Sequence, residues 1–476
     1  MSSSPLRVGL FGIGLQEYWP QFAGLRDRLE GYVRTVAAKL ERPGVEVINL
    51  GLVDNLDRAV EAGRTLRQRE VDLIFLHVTT YALSATVLPV VQRGKVPVVI
   101  LSLQPKAAID YAAFNALRDR TQMTSEWLAH CAICSAPELA NVFKRAGIRF
   151  HQVTGCLEND PACWHEVDAW IEAGRVSAGM AANRLGLMGH YYGGMLDIYS
   201  DVTLQSATFG TQVLVLEVDE LSALRRQASE SEILTRVAEF HRTFDVQPDC
   251  VATELTEAAR TSVALDRLVE LHRLGSLAYY YKGTGIAENE DTLASIILGT
   301  SLLTSRGIPV AGEYEVKNVQ AMKILDLFGA GGSFTEYYAM DFNEDVVLMG
   351  HDGPGHIAIA QGKTKVRPLK VYHGKVGRGV SVEMAVKHGP VTLLSVIETA
   401  NGRLALLCAE AESVPGPILE IGNTNSRYRF ACGAREFVNR WNSFGPAHHC
   451  AVGIGTLANR IAKLGALLNL DVHRVC

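Results

Sequence analysis

The sequence predicts an α/β protein. Two N-terminal domains should hold open parallel sheets, and the C-terminal domain should be antiparallel and β-barrel-like. Three observations carry this reading. The N-terminal third alternates apolar strand-like runs with amphipathic helical stretches, a βαβα rhythm that selects a parallel sheet covered on both faces. A stretch from His165 to Gly307 repeats the rhythm. After Gly331 the texture turns to short strands separated by turn signals, as in small antiparallel sheets and barrels. The expected domains are residues 1–164, 165–330 and 331–476.

In chain order, Leu6–Gly12 reads as a strand. Phe22–Leu40 reads as a helix, because Leu25, Leu29, Val33, Val36 and Leu40 recur at helical spacing. Val45–Leu50 is a strand, Leu56–Arg69 a helix, and Val71–His77 and Val98–Leu101 are buried-type strands. In the central region, Leu185–Met188, Val213–Val218 and Leu277–Tyr281 are strands. Leu221–Arg242, Val263–Leu274 and Thr292–Ser305 are helices, and a further helix spans Val316–Phe328. The last region offers strands at Val346–Met349, Thr364–Tyr372, Val380–Val386, Val391–Thr399 and Arg403–Ala411. Asn401-Gly402 forms a hairpin turn, and Thr456–Leu468 a closing helix.

Composition excludes several function classes. The 476 residues carry 46 basic and 51 acidic side chains, a net charge of −5 with no long run of one sign, so no nucleic-acid footprint is present. No apolar run approaches the ~20 residues that a membrane span needs. Met1-Ser2-Ser3-Ser4-Pro5 lacks a basic segment followed by an apolar one, so a cytoplasmic protein is expected. Nine scattered cysteines suggest a reducing compartment rather than a disulfide framework. The one CxxC, Cys131-Ala132-Ile133-Cys134, reads as a pair of plain buried thiols, since a zinc site would need a second pair.

Two glycine-containing turns fall short of nucleotide motifs. Gly12-Ile13-Gly14 has no third glycine and reads instead as a tight loop presenting Gln16 and Glu17, with Asp54 nearby. Lys282-Gly283-Thr284-Gly285 lacks phosphate-loop spacing and reads as a substrate-facing turn.

Chemistry concentrates between Gly312 and His356. Gly312-Glu313-Tyr314-Glu315 is followed by Ser333-Phe334-Thr335-Glu336 and by Gly350-His351-Asp352-Gly353-Pro354-Gly355-His356. Far downstream comes Gly445-Pro446-Ala447-His448-His449. Two carboxylates and two imidazoles suit a divalent ion of the Mn²⁺ type with open positions for substrate. Read as residues alone, Glu315 competes with Glu313, His356 with His351, and His448 with His449.

These elements resemble the L-arabinose isomerase family, within the wider arabinose/fucose isomerase superfamily. Gly312-Glu313 matches its glycine–glutamate element. Gly331-Gly332-Ser333-Phe334-Thr335-Glu336 matches its Gly-Gly-x-Ser-Phe-x-Glu element, one residue shorter. Leu348-Met349-Gly350-His351 and Gly445-Pro446-Ala447-His448-His449 match the remaining two. The resemblance implies an α/β fold of Rossmann or flavodoxin type ahead of the β-rich domain. It also implies that Glu313, Glu336, His351 and His449 hold Mn²⁺ or another divalent metal, and that Glu313 and Glu336 act as acid and base. The reaction would be aldose–ketose isomerisation through an enediol. His448 would neighbour the substrate, and Gln16 would contact sugar hydroxyls. His130 would reach a neighbouring subunit's site, in a homo-oligomer (tetramer or hexamer) whose interfaces complete the active sites.

His190, in the polar aromatic loop His190-Tyr191-Tyr192-Gly193-Gly194, and Tyr281 are further candidates for lining the pocket. Two departures stand beside the expected metal ligands: Tyr337 where the family has aspartate, and Asp352-Gly353-Pro354-Gly355 after His351 in place of Leu-Glu-Val-Cys-Pro. Both would reshape substrate contacts and leave the ligands in place. A metal-dependent sugar epimerase would share these ligands, and a non-catalytic sugar-binding regulator would share the N-terminal α/β character, but pure binding needs no acid–base pair.

Overall fold

The computed structural model describes residues 5–282, 285–370 and 377–476, and the chain divides into two compact units at Ala178/Gly179. Gly283 and Thr284 of the predicted substrate-facing turn lie outside the described residues, as does the end of the predicted strand Thr364–Tyr372.

The first unit is a parallel sheet of β1 (Leu6–Ile13), β2 (Val45–Val53), β3 (Leu73–His77), β4 (Val98–Gln104) and β5 (Phe150–Cys156), in the order β2-β1-β3-β4-β5. Strands β1, β3 and β4 are buried on both faces, which is why they read as unbroken apolar runs. The helix expected from Phe22 begins at Leu25. Gly24 before it has φ +79°, outside helical space, and the predicted leucines and valines all face inward. Helix Leu56–Gln68 starts where the Asn55 side chain accepts the Arg58 N–H. The expected boundary at 164 falls inside helix Pro161–Ala181.

The second unit begins with β6 (Arg184–Met188), β7 (Gln212–Leu216), β8 (Asp245–Val246), β9 (Ser276–Tyr279) and β10 (Val310–Ala311). Four of them form a parallel sheet in the order β10-β9-β6-β7. Here the single long helix expected over Leu221–Arg242 is two helices, Val218–Arg226 and Glu230–Thr243. Ser229 starts the second with a reciprocal cap, its hydroxyl bonding the Glu232 N–H and the Glu232 carboxylate bonding the Ser229 N–H. The stretch Thr292–Ser305 likewise splits, into Ala287–Ala294 and Ile297–Ser305.

The remaining strands are β11 (Ser333–Asp341), β12 (Val346–His351), β13 (Lys365–Pro368), β14 (Val380–Glu383), β15 (Gly389–Glu398), β16 (Leu404–Val414), β17 (Thr424–Phe430), β18 (Cys450–Ile454) and β19 (Asp471–Arg474). The pairings run β15-β18-β11-β12-β17-β16 and return from β16 to β15, with β19 added along β16. Sequence periodicity missed β11, β17, β18 and β19. Strand β17, Thr-Asn-Ser-Arg-Tyr-Arg-Phe, is polar yet mostly buried. Ser426 Oγ accepts the Val386 N–H at 2.7 Å, and Asn425 bonds both the N–H and the carbonyl of Leu419.

Helix Val316–Leu327 is buried over nearly its whole surface, packed against β9 and β10 as well as β15 and β18. Short β8 pairs with β13, which pairs with β14. Both features tie the parallel sheet and the antiparallel strands into one body. The expected boundary at 330 lies within that body, between the buried helix and β11.

Four of the nine cysteines depart from the expected plain thiols. Cys131 pairs with Cys134 and Cys432 with Cys476, while Cys163, Cys408 and Cys450 are buried and free. The scatter of cysteines in sequence concealed the second pair, which spans a separation of 44 residues.

Candidate active site

The carboxyl ends of β6, β9 and β10 all lead into loops at one edge of the parallel sheet, where open α/β sheets receive ligands. Those loops carry His190 to Met195, Tyr280 and Tyr281, and Gly312 to Glu315. The turn after β10 is strained. Glu313 and Tyr314 have φ of +58° and +60°, a left-handed conformation that side chains disfavour. The Tyr314 N–H donates to the Tyr279 carbonyl at 2.9 Å, and its ring packs edge-on to Tyr191 at 4.8 Å, which holds the turn in place.

The other half of the site comes from three neighbouring antiparallel strands. Glu336 in the middle of β11 faces Gly350 of β12, and Thr335 faces Cys450 of β18. Adjacent strands thus deliver Glu336, His351 and His449 side by side. On its other side β12 lies close against β17, which Gly350 permits: a Cβ there would stand 1.8 Å from the Thr424 carbonyl oxygen.

The expected ligands gather about His449 as two overlapping trios, Glu313 with His351 and His449, and Glu336 with His448 and His449. His449 is fully buried, with Nε2 3.5 Å from Glu313 Oε2 and 3.8 Å from Glu336 Oε2. His351 Nε2 lies 3.9 Å from Glu313 Oε1. Phe334 packs against both imidazoles, its ring centroid 4.3 Å from His351 and 4.4 Å from His449, and the two imidazoles are 5.0 Å apart. Neither nitrogen of His449 has a hydrogen-bond partner among the described residues. Donor atoms too far apart for hydrogen bonds yet all within 4.8 Å of one another, as in each trio, are what a small divalent cation bridges, with each ligand at about 2.0–2.2 Å. The residues present therefore fit such an ion.

The alternatives left open by the residues separate by position. Glu315, fully buried, lies on the far side of the ring, its Oε2 3.5 Å from His449 Nδ1. It faces the nitrogen turned away from the cluster, the arrangement that orients a metal-binding histidine. His356 is buried against Gly331, outside the cluster. His448 is half exposed and gives Nε2 to Glu336 Oε2 at 2.5 Å. That bond raises the His448 pKa, an effect opposed by partial burial. The backbone N–H of His448 donates to Asp197 Oδ2 at 2.7 Å, which fixes the histidine pair.

A cavity of about 470 Å³ opens over these groups, lined by Glu313, Glu336, His351 and His448 with Tyr192 and Tyr281. Tyr281 is thus beside the site, its ring 5.8 Å from that of Tyr192. His190 is exposed, stacks on Tyr280 at 4.5 Å, and does not line the cavity. Gln16 and His130 belong to the first unit. Gln16 opens a short helical turn after β1 and is exposed, and His130 closes helix Arg120–Ala129 with Nδ1 2.9 Å from the Glu126 carbonyl. Asp54, near the Gln16 loop, accepts the Trp19 indole N–H at 2.8 Å. Sequence reasoning had placed Asp352 beside the ligands and Tyr192 in a pocket-lining loop without singling either out, and had given Phe334 no role. Adjacency to His351, to a Gly-Gly turn and to Glu336 was the available signal.

Residues 331–471 match the model of the L-arabinose isomerase C-terminal domain. No curated protein matches the chain. Among solved structures, the periplasmic solute-binding protein of an ABC transporter from Actinobacillus succinogenes 130z, with bound D-allose, aligns at 11% identity. The alignment covers 64% of this chain and 83% of that one at a TM-score of 0.15, and a likeness that loose carries no structural argument.

Proposed function

From the match of residues 331–471 to the L-arabinose isomerase C-terminal domain, we propose that the chain is a metal-dependent aldose–ketose isomerase acting on an uncharged sugar. The grouping of Glu313, His351 and His449, with Glu336 on the same His449 nitrogen, supports the reading. These four side chains would hold the ion. A divalent cation of the Mn²⁺ type supplies charge to polarise a carbonyl and to stabilise an oxyanion.

The chain's own groups supply the rest. Glu313 and Glu336 are the acid–base pair: one carboxylate takes the proton from the carbon beside the carbonyl, giving an enediol, and the other moves protons between the adjacent sugar oxygens. His448, bonded to Glu336 Oε2, holds that carboxylate in place and can pass its proton to the half-open side of the cavity. Three carboxylates, Glu313, Glu336 and Asp352, line the cavity, and no Lys or Arg does so among the described residues. A phosphate group would be repelled there, which favours a neutral sugar. Tyr192 and Tyr281 offer ring faces against which sugar C–H groups pack.

The same reading includes a homo-oligomer in which His130 serves a neighbouring subunit. Trp127, three residues before it, is 49% exposed. Light scattering on the purified protein measures the subunit number directly.

A panel of neutral aldoses and ketoses, assayed with Mn²⁺ and followed by NMR in D₂O, tests the function. The expected result is interconversion of one aldose–ketose pair, with solvent deuterium entering at the ketose C1 or aldose C2. Deuterium entering only at a stereocentre that inverts would instead identify an epimerase. Glu336→Gln should lower turnover by at least ~10²–10⁴-fold while leaving the circular dichroism spectrum unchanged. Undiminished turnover in that variant would remove the acid–base assignment.

A further inference from the structure

We propose that Cys131 and Cys134 form a thiol–disulfide exchange site whose reaction partner is a low-molecular-weight thiol/disulfide couple of the glutathione type. The site lies in the first unit, directly after His130.

The two residues follow helix Arg120–Ala129 and precede helix Ala136–Arg145, so the CxxC forms the whole connection between them apart from His130 and Ser135. Their Cα atoms are 5.3 Å apart, inside the separation a disulfide spans, and the sulfurs are bonded. Both ends of the turn are anchored. Ser135 Oγ accepts the Ala82 N–H at 2.8 Å and donates to the Ala82 carbonyl at 2.9 Å, and Thr80 Oγ1 donates to the Leu128 carbonyl at 2.9 Å. A backbone held this way keeps the thiols close whether or not the bond exists, so closing and opening it require little rearrangement.

The two sulfurs differ in access. Cys131 is 2% exposed, whereas Cys134 is exposed beside Ile133. Exchange requires in-line attack on an accessible sulfur, so access divides the roles. Cys134 also lies just before the start of a ten-residue helix, where backbone N–H groups favour an anionic thiolate. Of the free thiols, Cys163, Cys408 and Cys450 are buried and Cys156 and Cys250 are partly exposed, and none of them stands in a CxxC turn.

In the oxidising direction, the Cys134 thiolate attacks one sulfur of the small disulfide, forming a mixed disulfide and releasing one small thiolate. The Cys131 thiolate then attacks Cys134 Sγ, closing the internal bond and expelling the second small thiolate. The protein dithiol loses two electrons and two protons, and the small disulfide gains them as two thiols. Reduction is the reverse, beginning with attack of a small thiolate on exposed Cys134.

The test uses the full-length protein equilibrated in glutathione mixtures from mostly reduced to mostly oxidised. Acid quenching and differential alkylation before and after reduction follow. Trypsin releases residues 121–144, which contain these two cysteines and no other, so Cys432 and Cys476 do not interfere. The expected result is a reversible two-electron transition, with the ratio of closed to open peptide changing tenfold per ~30 mV of poise. Cys131→Ser should collect one glutathione on Cys134, and Cys134→Ser should leave Cys131 without an adduct in the native protein. A pair that stays open in every mixture, or stays closed in excess reduced glutathione, overturns the proposal. Equal adduct formation in the two variants overturns the division of roles.

Discussion

Glu315 is a carboxylate with no exposed surface, set against the side of His449 that faces away from the cluster. Its place behind the ring makes it a positioning residue for the imidazole rather than a ligand. Removing such a partner commonly lowers metal affinity by about 10–100-fold. Isothermal titration of Glu315→Gln with Mn²⁺ should show a loss of that size with the binding stoichiometry unchanged.

His77, at the end of β3, is a different kind of buried residue. Complete burial pushes its pKa down to about 4, against a weaker opposing effect from the Leu103 main chain. The unfolded chain, with its histidine near pKa 6.5, therefore binds the proton first as pH falls. The stability that comes from keeping His77 neutral is present in full above pH 6.5 and is lost as pH falls towards 4, by at most ~3 kcal/mol. Urea unfolding of the first unit should steepen its loss of stability across that window. His77→Leu should flatten it.

At the scale of elements, local chemistry set boundaries that periodicity alone blurred. The stretch Leu221–Arg242 keeps an apolar rhythm long enough to read as one helix, yet Ser229 and Glu232 form a reciprocal cap that starts a new one. Ser229→Ala should cost about 1 kcal/mol, read as a lower urea midpoint for the second unit with an unchanged slope. Strand β17 shows the converse, because its polar side chains found partners only after Leu419 and Val386 were brought to them. The hairpin turn predicted at Asn401-Gly402 sits in a loop running from Thr399 to Arg403, with Gly402 at φ +66°. The glycine marked the turn correctly, and the strand register decided its width.

At the scale of the whole molecule, the second unit is one body because a helix buried on nearly every side lies between two kinds of sheet. That helix follows directly on Glu313 and Glu315, and its packing partners β15 and β18 belong to the same ring of strands as Glu336 and His351. Metal binding should therefore stabilise this unit as a whole. At one hundred times its dissociation constant, Mn²⁺ should add about 2.7 kcal/mol to the unit's stability. Differential scanning calorimetry should show one transition moving upward with Mn²⁺ and returning with chelator, and Glu313→Gln should abolish the movement.

The amino-acid sequence by itself determined the parallel sheets, because β1, β3 and β4 are buried on both faces and so carry unbroken apolar runs. It also pointed to the glycine-rich motifs that carry Glu313, Glu336, His351 and His449, each with its own order and context. Only tertiary structure decided which oxygen and which nitrogen face inward. Glu313 and Glu315 are two residues apart in one turn, and a left-handed bend at Glu313 and Tyr314 sends their carboxylates to opposite sides of His449. The polar strands likewise became strands only in context, since a buried polar side chain is stable only where a partner arrives from elsewhere in the chain.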